Sequence, residues 1–127
     1  PKHSVLLSTR APIGYLAISS NEICTNQGFK SIVPNAGYHE YFIYYLIKRN
    51  VPAIAQQGVG TTFKEVSKDT LSNFAVPLPP KSLVNNFAEK VTPLCEKRCI
   101  LEEENHELKR VRDWLLPMLM NGQARVE

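Results

Sequence analysis

The sequence predicts an α+β protein: a small, irregular β-rich domain followed by one long coiled-coil-forming helix. Three observations carry that prediction. Short runs of branched and aromatic residues separated by Pro and Gly fill the first half. The segment Pro77-Leu78-Pro79-Pro80 then marks a sharp boundary. Beyond it, residues 81–116 contain no glycine and one proline, and Phe87, Leu94, Leu101, Leu108 and Leu115 recur every seven residues. Two domains are therefore expected, residues 1–79 and 80–127.

Ser4–Thr9 and Tyr15–Ser19 read as strands broken by Pro12 and Gly14, and Phe29–Pro34 as a third, closed by Asn35-Ala36-Gly37. From His39 to Arg49 the spacing of Phe42, Ile43, Leu46 and Ile47 predicts a helix that must end before Pro52. A loop around Gly58-Val59-Gly60-Thr61-Thr62, a helical turn near Ser67–Leu71 and a strand at Phe74–Leu78 complete the first domain.

The long helix needs a partner. Its companion seam runs Val84, Val91, Arg98, Asn105, Arg112 and Leu119, so the pairing interface expected from the pattern is Val84, Phe87, Val91, Leu94, Leu101, Asn105, Leu108 and Leu115. Polar residues on such a seam weaken a symmetric zipper and fix register and partner choice. Packing back onto its own domain is the alternative, disfavoured because globular helices average about 11–12 residues. Pro93 is a place for a kink.

The chain of 127 residues carries a net charge of +3, with 43% hydrophobic and 21% charged residues. Residues 1–79 hold seven basic side chains against four acidic ones, whereas residues 80–127 hold eight of each, so the basic excess belongs to the first domain. That balance permits a nucleic-acid partner without requiring one. Three cysteines are too few for a disulfide framework, which points to a reducing, cytoplasmic setting. No apolar run approaches 18 residues, so no membrane association is expected. The start at Pro1 reads as that of a fragment.

Catalysis requires convergent titratable groups, and none is legible: His3, His39 and His106 are scattered. Cys95 and Cys99 have metal-compatible spacing but no companion ligands, so they read as small hydrophobes, and neither a metal nor a cofactor is assigned. Gly58-Val59-Gly60-Thr61-Thr62 lacks the Gly-Lys-Ser/Thr ending of a phosphate loop. It is either a structural turn or a place where backbone, Thr61, Thr62 and Lys64 approach a phosphate. Thr9 and Arg10, beside a rigid turn, and Asn26, Gln27 and Lys30, gathered in one short stretch, are the other candidates for DNA contact, together with Lys68. Arg pairs with guanine, Asn and Gln with adenine, and Thr or Lys with phosphate. Amides also cap turns, and both readings of Asn26 and Gln27 stand.

Five segments, in order, resemble the specificity subunit of bacterial type I restriction-modification enzymes: LLSTRAPIGYLAI (Leu6–Ile18), CTNQGFKSIVP (Cys24–Pro34), GVGTTF (Gly58–Phe63), VPLPP (Val76–Pro80) and RDWLLPMLMNG (Arg112–Gly122). The resemblance spans essentially the whole chain. It implies a non-catalytic target recognition domain reading one half of a bipartite site in double-stranded DNA, here the C-terminal recognition domain without its first portion. It also implies a spacer helix that pairs antiparallel with the other helix of the same subunit, or with a second copy in an isolated fragment. Methyltransferase subunits would dock around the spacer, supply the S-adenosylmethionine chemistry and flip the adenine, and restriction subunits would join them. Leu83-Val84 stand where many members carry a Glu-Gln pair. Segments shared among members with different targets are expected to make scaffold and phosphate contacts. The rival readings are a protein-protein interaction module with a solvated basic domain, and a methyltransferase fragment. The latter would need a cofactor loop and an Asn/Asp-Pro-Pro-aromatic motif, and neither occurs.

Overall fold

A computed structural model describes residues 1–35, 37–60 and 64–123. In chain order its elements are β1 (Val5–Ser8), β2 (Leu16–Ile18), β3 (Phe29–Ile32), α1 (Glu40–Gln56), α2 (Lys68–Ser72) and α3 (Lys81–Met120). The α+β class is as the sequence predicts. The chain divides into two compact units, Pro1–Glu89 and Lys90–Glu127, so the first turns of α3 belong to the N-terminal unit.

In that unit β1 is the central strand of an antiparallel sheet ordered β2-β1-β3. Val5 faces Ile18 and Ile32, while Leu7 faces Leu16 and Lys30. Cross-strand partners share a face, so these residues form the inward side, and Val5 and Leu7 are fully buried. Leu7, Ile54 and Val66 make the core, with Ile13, Leu16, Ile32, Ile47, Val51, Leu71 and Phe74 packed around them. The β1–β2 turn is organised by Ser8: its Oγ donates to the Pro12 carbonyl at 2.8 Å and accepts from the Tyr15 N–H at 2.8 Å.

Two expectations are corrected. α1 does not stop before Pro52 but runs to Gln56 with Pro52 inside it. Proline in a helix interior costs about 3 kcal/mol through the lost N–H and ring crowding. Here the extra turn carries Val51 and Ile54 into the core, and burying apolar side chains of that size contributes about 1.5–3 kcal/mol each. Tertiary packing outweighs the local preference. Conversely, Phe74–Leu78 pairs with no strand among the described residues. Pro77, Pro79 and Pro80 offer no ladder donors, and Phe74 instead packs on the core.

Both remaining helices are capped by side chain or backbone. Ser67 Oγ accepts from the Thr70 N–H at 3.0 Å at the start of α2. α3 continues through Pro93 and Pro117 and ends in a Schellman motif. There Gln123 N–H donates to Met118 O at 2.8 Å and Gly122 N–H to Leu119 O at 3.2 Å, with Gly122 at φ +70°. At 1.5 Å per residue its 40 residues span about 60 Å. Val84 is buried, and the Phe87 ring meets Phe42 and Tyr45 edge-on at 6.2 and 6.1 Å.

Gly14 sits at φ +106° against Val51, and a Cβ there would overlap the Val51 side chain. Val51 is β-branched within a helix and cannot rotate freely away. Gly14→Ala is therefore expected to destabilise the N-terminal unit by about 1–3 kcal/mol, read as a lower midpoint in thermal unfolding followed by circular dichroism.

Candidate nucleic-acid interface

The candidate contacts from the sequence fall on the N-terminal unit, and most gather where three loops meet the end of β1. Thr9 is the junction. Its N–H donates to Gly28 O at 2.8 Å, its carbonyl accepts from Val66 N–H at 2.9 Å, and its Oγ1 donates to Gly28 O at 3.2 Å. Thr9 is fully buried. Direct contact with DNA, expected of it from the sequence, is incompatible with that burial, because no part of its side chain reaches the surface. Thr9 is scaffold.

Arg10, one residue on, is exposed, and its Nε donates to Glu65 Oε2 at 3.0 Å. The two residues also form an antiparallel bridge, while Glu65 exchanges two backbone hydrogen bonds of 3.0 Å with Val59. The neighbouring turn is built by Asn26, whose Oδ1 accepts from Gly28 N–H at 2.9 Å. That oxygen is engaged in an Asx turn. Gly28 is closely flanked: a Cβ there would lie 3.1 Å from Asn26 Oδ1 and 3.9 Å from Arg10 Cδ. Gln27 is exposed, and its carbonyl accepts from Lys30 Nζ at 3.2 Å.

Lys30 stands opposite Leu7 on the inward face of β3, half-buried, so its stem lies along apolar surface while its ammonium escapes to the rim. It lines a groove of about 460 Å³ beside β3 with Phe29, Ser31, Ile32, Lys68, Leu71 and Ser72. The structure thus brings Lys30 and Lys68 to one groove, 38 positions apart in sequence, with Phe29 exposed beside them. Lys64 is exposed in the segment leading to Glu65. Thr61 and Thr62 lie outside the described residues.

Among the described residues no three His, Cys, Asp or Glu side chains group to hold a metal ion. Cys95 lies within α3, where burial pushes its thiol pKa up, opposed by the Arg98 guanidinium and reinforced by Cys99. A raised pKa disfavours the thiolate needed for metal binding or attack. Glu65 is the participant that sequence reasoning missed, since nothing local links it to a residue 55 positions away.

In the C-terminal unit the seam is uncovered. Leu94 and Leu108 are 69% and 66% exposed, Leu101 and Asn105 are exposed, Leu115 is half-buried, and Ile100, Val111, Trp114 and Leu116 add exposed apolar area. Val91 is half-buried. Charges on this helix pair within it: Arg98 with Glu102 at 3.3 Å, Arg110 with Glu107 at 2.6 Å and Arg112 with Asp113 at 2.6 Å. Among the described residues no helix is long and apolar enough to cross a membrane.

The chain thus carries exposed cations on the loops of a small α+β unit and an exposed heptad seam along its long helix. Residues 1–110 match the family described as the type I restriction modification DNA specificity domain, and the chain belongs to that family. The family is the non-catalytic, DNA-recognising component of type I restriction-modification systems. Among curated proteins the chain is 41% identical over 81 residues to the type I restriction enzyme MjaIX specificity subunit of Methanocaldococcus jannaschii, covering 62% of this chain and 19% of that protein. It is 30% identical over 128 residues to the HindI specificity subunit of Haemophilus influenzae, covering 97% and 28%. A further relative, the putative MjaX specificity subunit of M. jannaschii, is 26% identical over 124 residues, covering 97% and 29%. The chain thus spans less than a third of the length of these relatives.

Because Thr9 holds the loops together from inside, Thr9→Val is expected to cost about 1 kcal/mol of stability, the usual worth of one buried hydrogen bond. Chemical denaturation monitored by Trp114 fluorescence would miss an effect confined to the N-terminal unit, so amide exchange at Gly28 and Val66 is the appropriate measurement.

Proposed function

We propose that this chain is a target recognition domain with its spacer helix. It reads one half of a bipartite site in double-stranded DNA, within a cytoplasmic complex whose methyltransferase and restriction subunits carry the chemistry. The observation that supports the reading best is the placing of Lys30 and Lys68, 38 positions apart in sequence, in one groove beside β3, with Arg10 and Lys64 exposed on the loops that meet at the end of β1. Backbone contacts from such cations position a protein on a duplex, and base contacts specify the sequence. In this scheme Lys30, Lys64 and Lys68 hold phosphates, Gln27 and the free amide end of Asn26 face the duplex, and residues 58–62 approach the backbone. The domain boundary is placed at Pro79-Pro80, so that residues 80–127 act as spacer even though α3 starts inside the first compact unit.

Each phosphate contact releases counterions, so replacing one contacting lysine lowers the log–log salt slope of binding by about one unit for every DNA sequence alike. Lys30→Ala, Lys64→Ala and Lys68→Ala in the assembled methyltransferase complex are expected to do so. Three variants binding with the wild-type slope would place the DNA surface elsewhere.

The exposed seam supports a second element of the proposal: Leu94, Leu101, Leu108 and Leu115 pair with the other helix of the subunit, or with a second copy when this chain is alone, and methyltransferase subunits dock on the resulting spacer, whereas Val84 and Phe87, expected in the same interface, are packed on the N-terminal unit instead. A buried leucine truncated to alanine costs about 2–5 kcal/mol. Leu101→Ala combined with Leu108→Ala is therefore expected to convert an associated chain to monomer in sedimentation while the N-terminal unit stays folded. A wild-type chain that is monomeric at high concentration with α3 fully helical would sink this element.

A further inference from the structure

We infer that Glu65 is a positioning residue that holds Arg10 by its Nε–H, masks its charge toward loosely held DNA, and leaves its Nη fork aimed at DNA seated on the loops. The inference rests on the DNA-recognition reading above and adds to it a residue that discriminates between DNA bound in register and DNA met at random.

The side-chain pair is not needed to hold the loops. The 59–66 segment and the end of β1 are already joined by backbone: Val66 N–H to Thr9 O at 2.9 Å, the Val59–Glu65 exchange at 3.0 Å each way, and the Arg10–Glu65 bridge. The pair lies at the surface, with side chains 48% and 38% exposed, where ion pairs add little stability. What it does change is the direction and charge of the arginine. The carboxylate takes the Nε–H at 3.0 Å. Among the described residues the guanidinium has no other hydrogen-bonded partner. The two Nη groups, the end of the fork that grips phosphate or guanine in bidentate fashion, are left for an outside acceptor. The Arg10 stem passes beside Gly28, where an added Cβ would lie 3.9 Å from its Cδ, an ordinary contact distance.

An acidic residue set among cations on a DNA-facing surface has a thermodynamic effect. For loosely held DNA, Arg10 and Glu65 present together no net charge, so Arg10 releases no counterion. For DNA seated on the loops, the Nη fork gains fixed hydrogen bonds that need no search of rotamers. Specificity is a difference of affinities, and a repulsive element that weakens the wrong complex raises it.

The test is a double-mutant cycle in the specificity subunit assembled with its methyltransferase subunits, binding a mixed-sequence DNA duplex across a salt series. Glu65→Gln is expected to leave the unfolding midpoint unchanged and to steepen the salt slope by about one unit, because Arg10 then acts as a free cation. In the Arg10→Ala background Glu65→Gln should produce no such steepening, and Arg10→Lys, which lacks the planar fork, should not restore the wild-type behaviour. The inference is overturned if Glu65→Gln acts equally in both backgrounds, which would be a general charge effect. It is equally overturned if the slope does not move, or if Glu65→Gln and Glu65→Ala both lower the midpoint as a core substitution does. Wild-type assembly without salt-dependent affinity for DNA would remove the recognition reading itself, whereas wild-type affinity without coupling would remove only the role of Glu65.

Discussion

The burial of Thr9 is the constraint on which the recognition surface depends. A residue with no exposed side-chain atoms cannot leave its backbone groups unsatisfied, and Thr9 meets that demand by taking one partner from the 25–28 turn and one from the 64–66 segment. Three loops far apart in sequence are thereby held at one strand end. Every exposed side chain placed there, Arg10 and Glu65 above all, takes its position from a backbone that hydrogen bonding has already fixed. Rigid support of this kind is what a recognition surface requires, since contacts displaced by an ångström lose their geometry.

Local and tertiary forces disagree at α1, and the outcome explains where sequence reading succeeds. The three strands and α2 were legible because branched residues, turn residues and a serine cap all favour the structure observed. The end of α1 was not, because Pro52 argues for termination by a local rule, while the reward for continuing, Ile54 beneath Leu7 and Val66, comes from residues about 12 to 47 positions away in sequence. The missing strand at 74–78 is the converse. Its β-formers favour a strand, but Pro77 inside it and Pro79-Pro80 just beyond it offer no ladder donors and suit a boundary.

The proposed interface rests on residue types that the sequence displays and on a geometry that it does not. Arginine, amides and lysines beside turns are a sound signal for DNA contact. Whether a given side chain faces out depends on register and on partners that only the fold supplies. Thr9 and Arg10 are adjacent in sequence, yet one is interior and the other exposed. Lys30, expected within the strand Phe29–Pro34 and among the contact candidates, stands on the inward face of β3 at the rim of a groove, a side that the sequence alone does not tell. Asn26 and Gln27, left open between capping and contact, divide: the Asn26 oxygen is committed to Gly28, and the Gln27 side chain is exposed.

For the helix, the charges that break the seam bear on what drives pairing. Arg98 is met by Glu102 one turn on, and Arg112 by the adjacent Asp113, so neither arginine depends on a partner helix for a counter-charge. Intrahelical pairs of this sort are worth only about 0.3–0.5 kcal/mol, an order of magnitude less than a buried leucine can supply. Affinity between helices must then come from the leucines, whose spacing repeats throughout α3 and would permit pairing in several registers. The polar positions remove that ambiguity. Placing Arg98 or Arg112 in a dry helix–helix seam would cost the desolvation of a guanidinium, so positions 98, 105 and 112 restrict which helix, and which register, such a seam would accept. In the proposed spacer, a seam strong in leucine but interrupted at 98, 105 and 112 would give up stability for choice of partner and register.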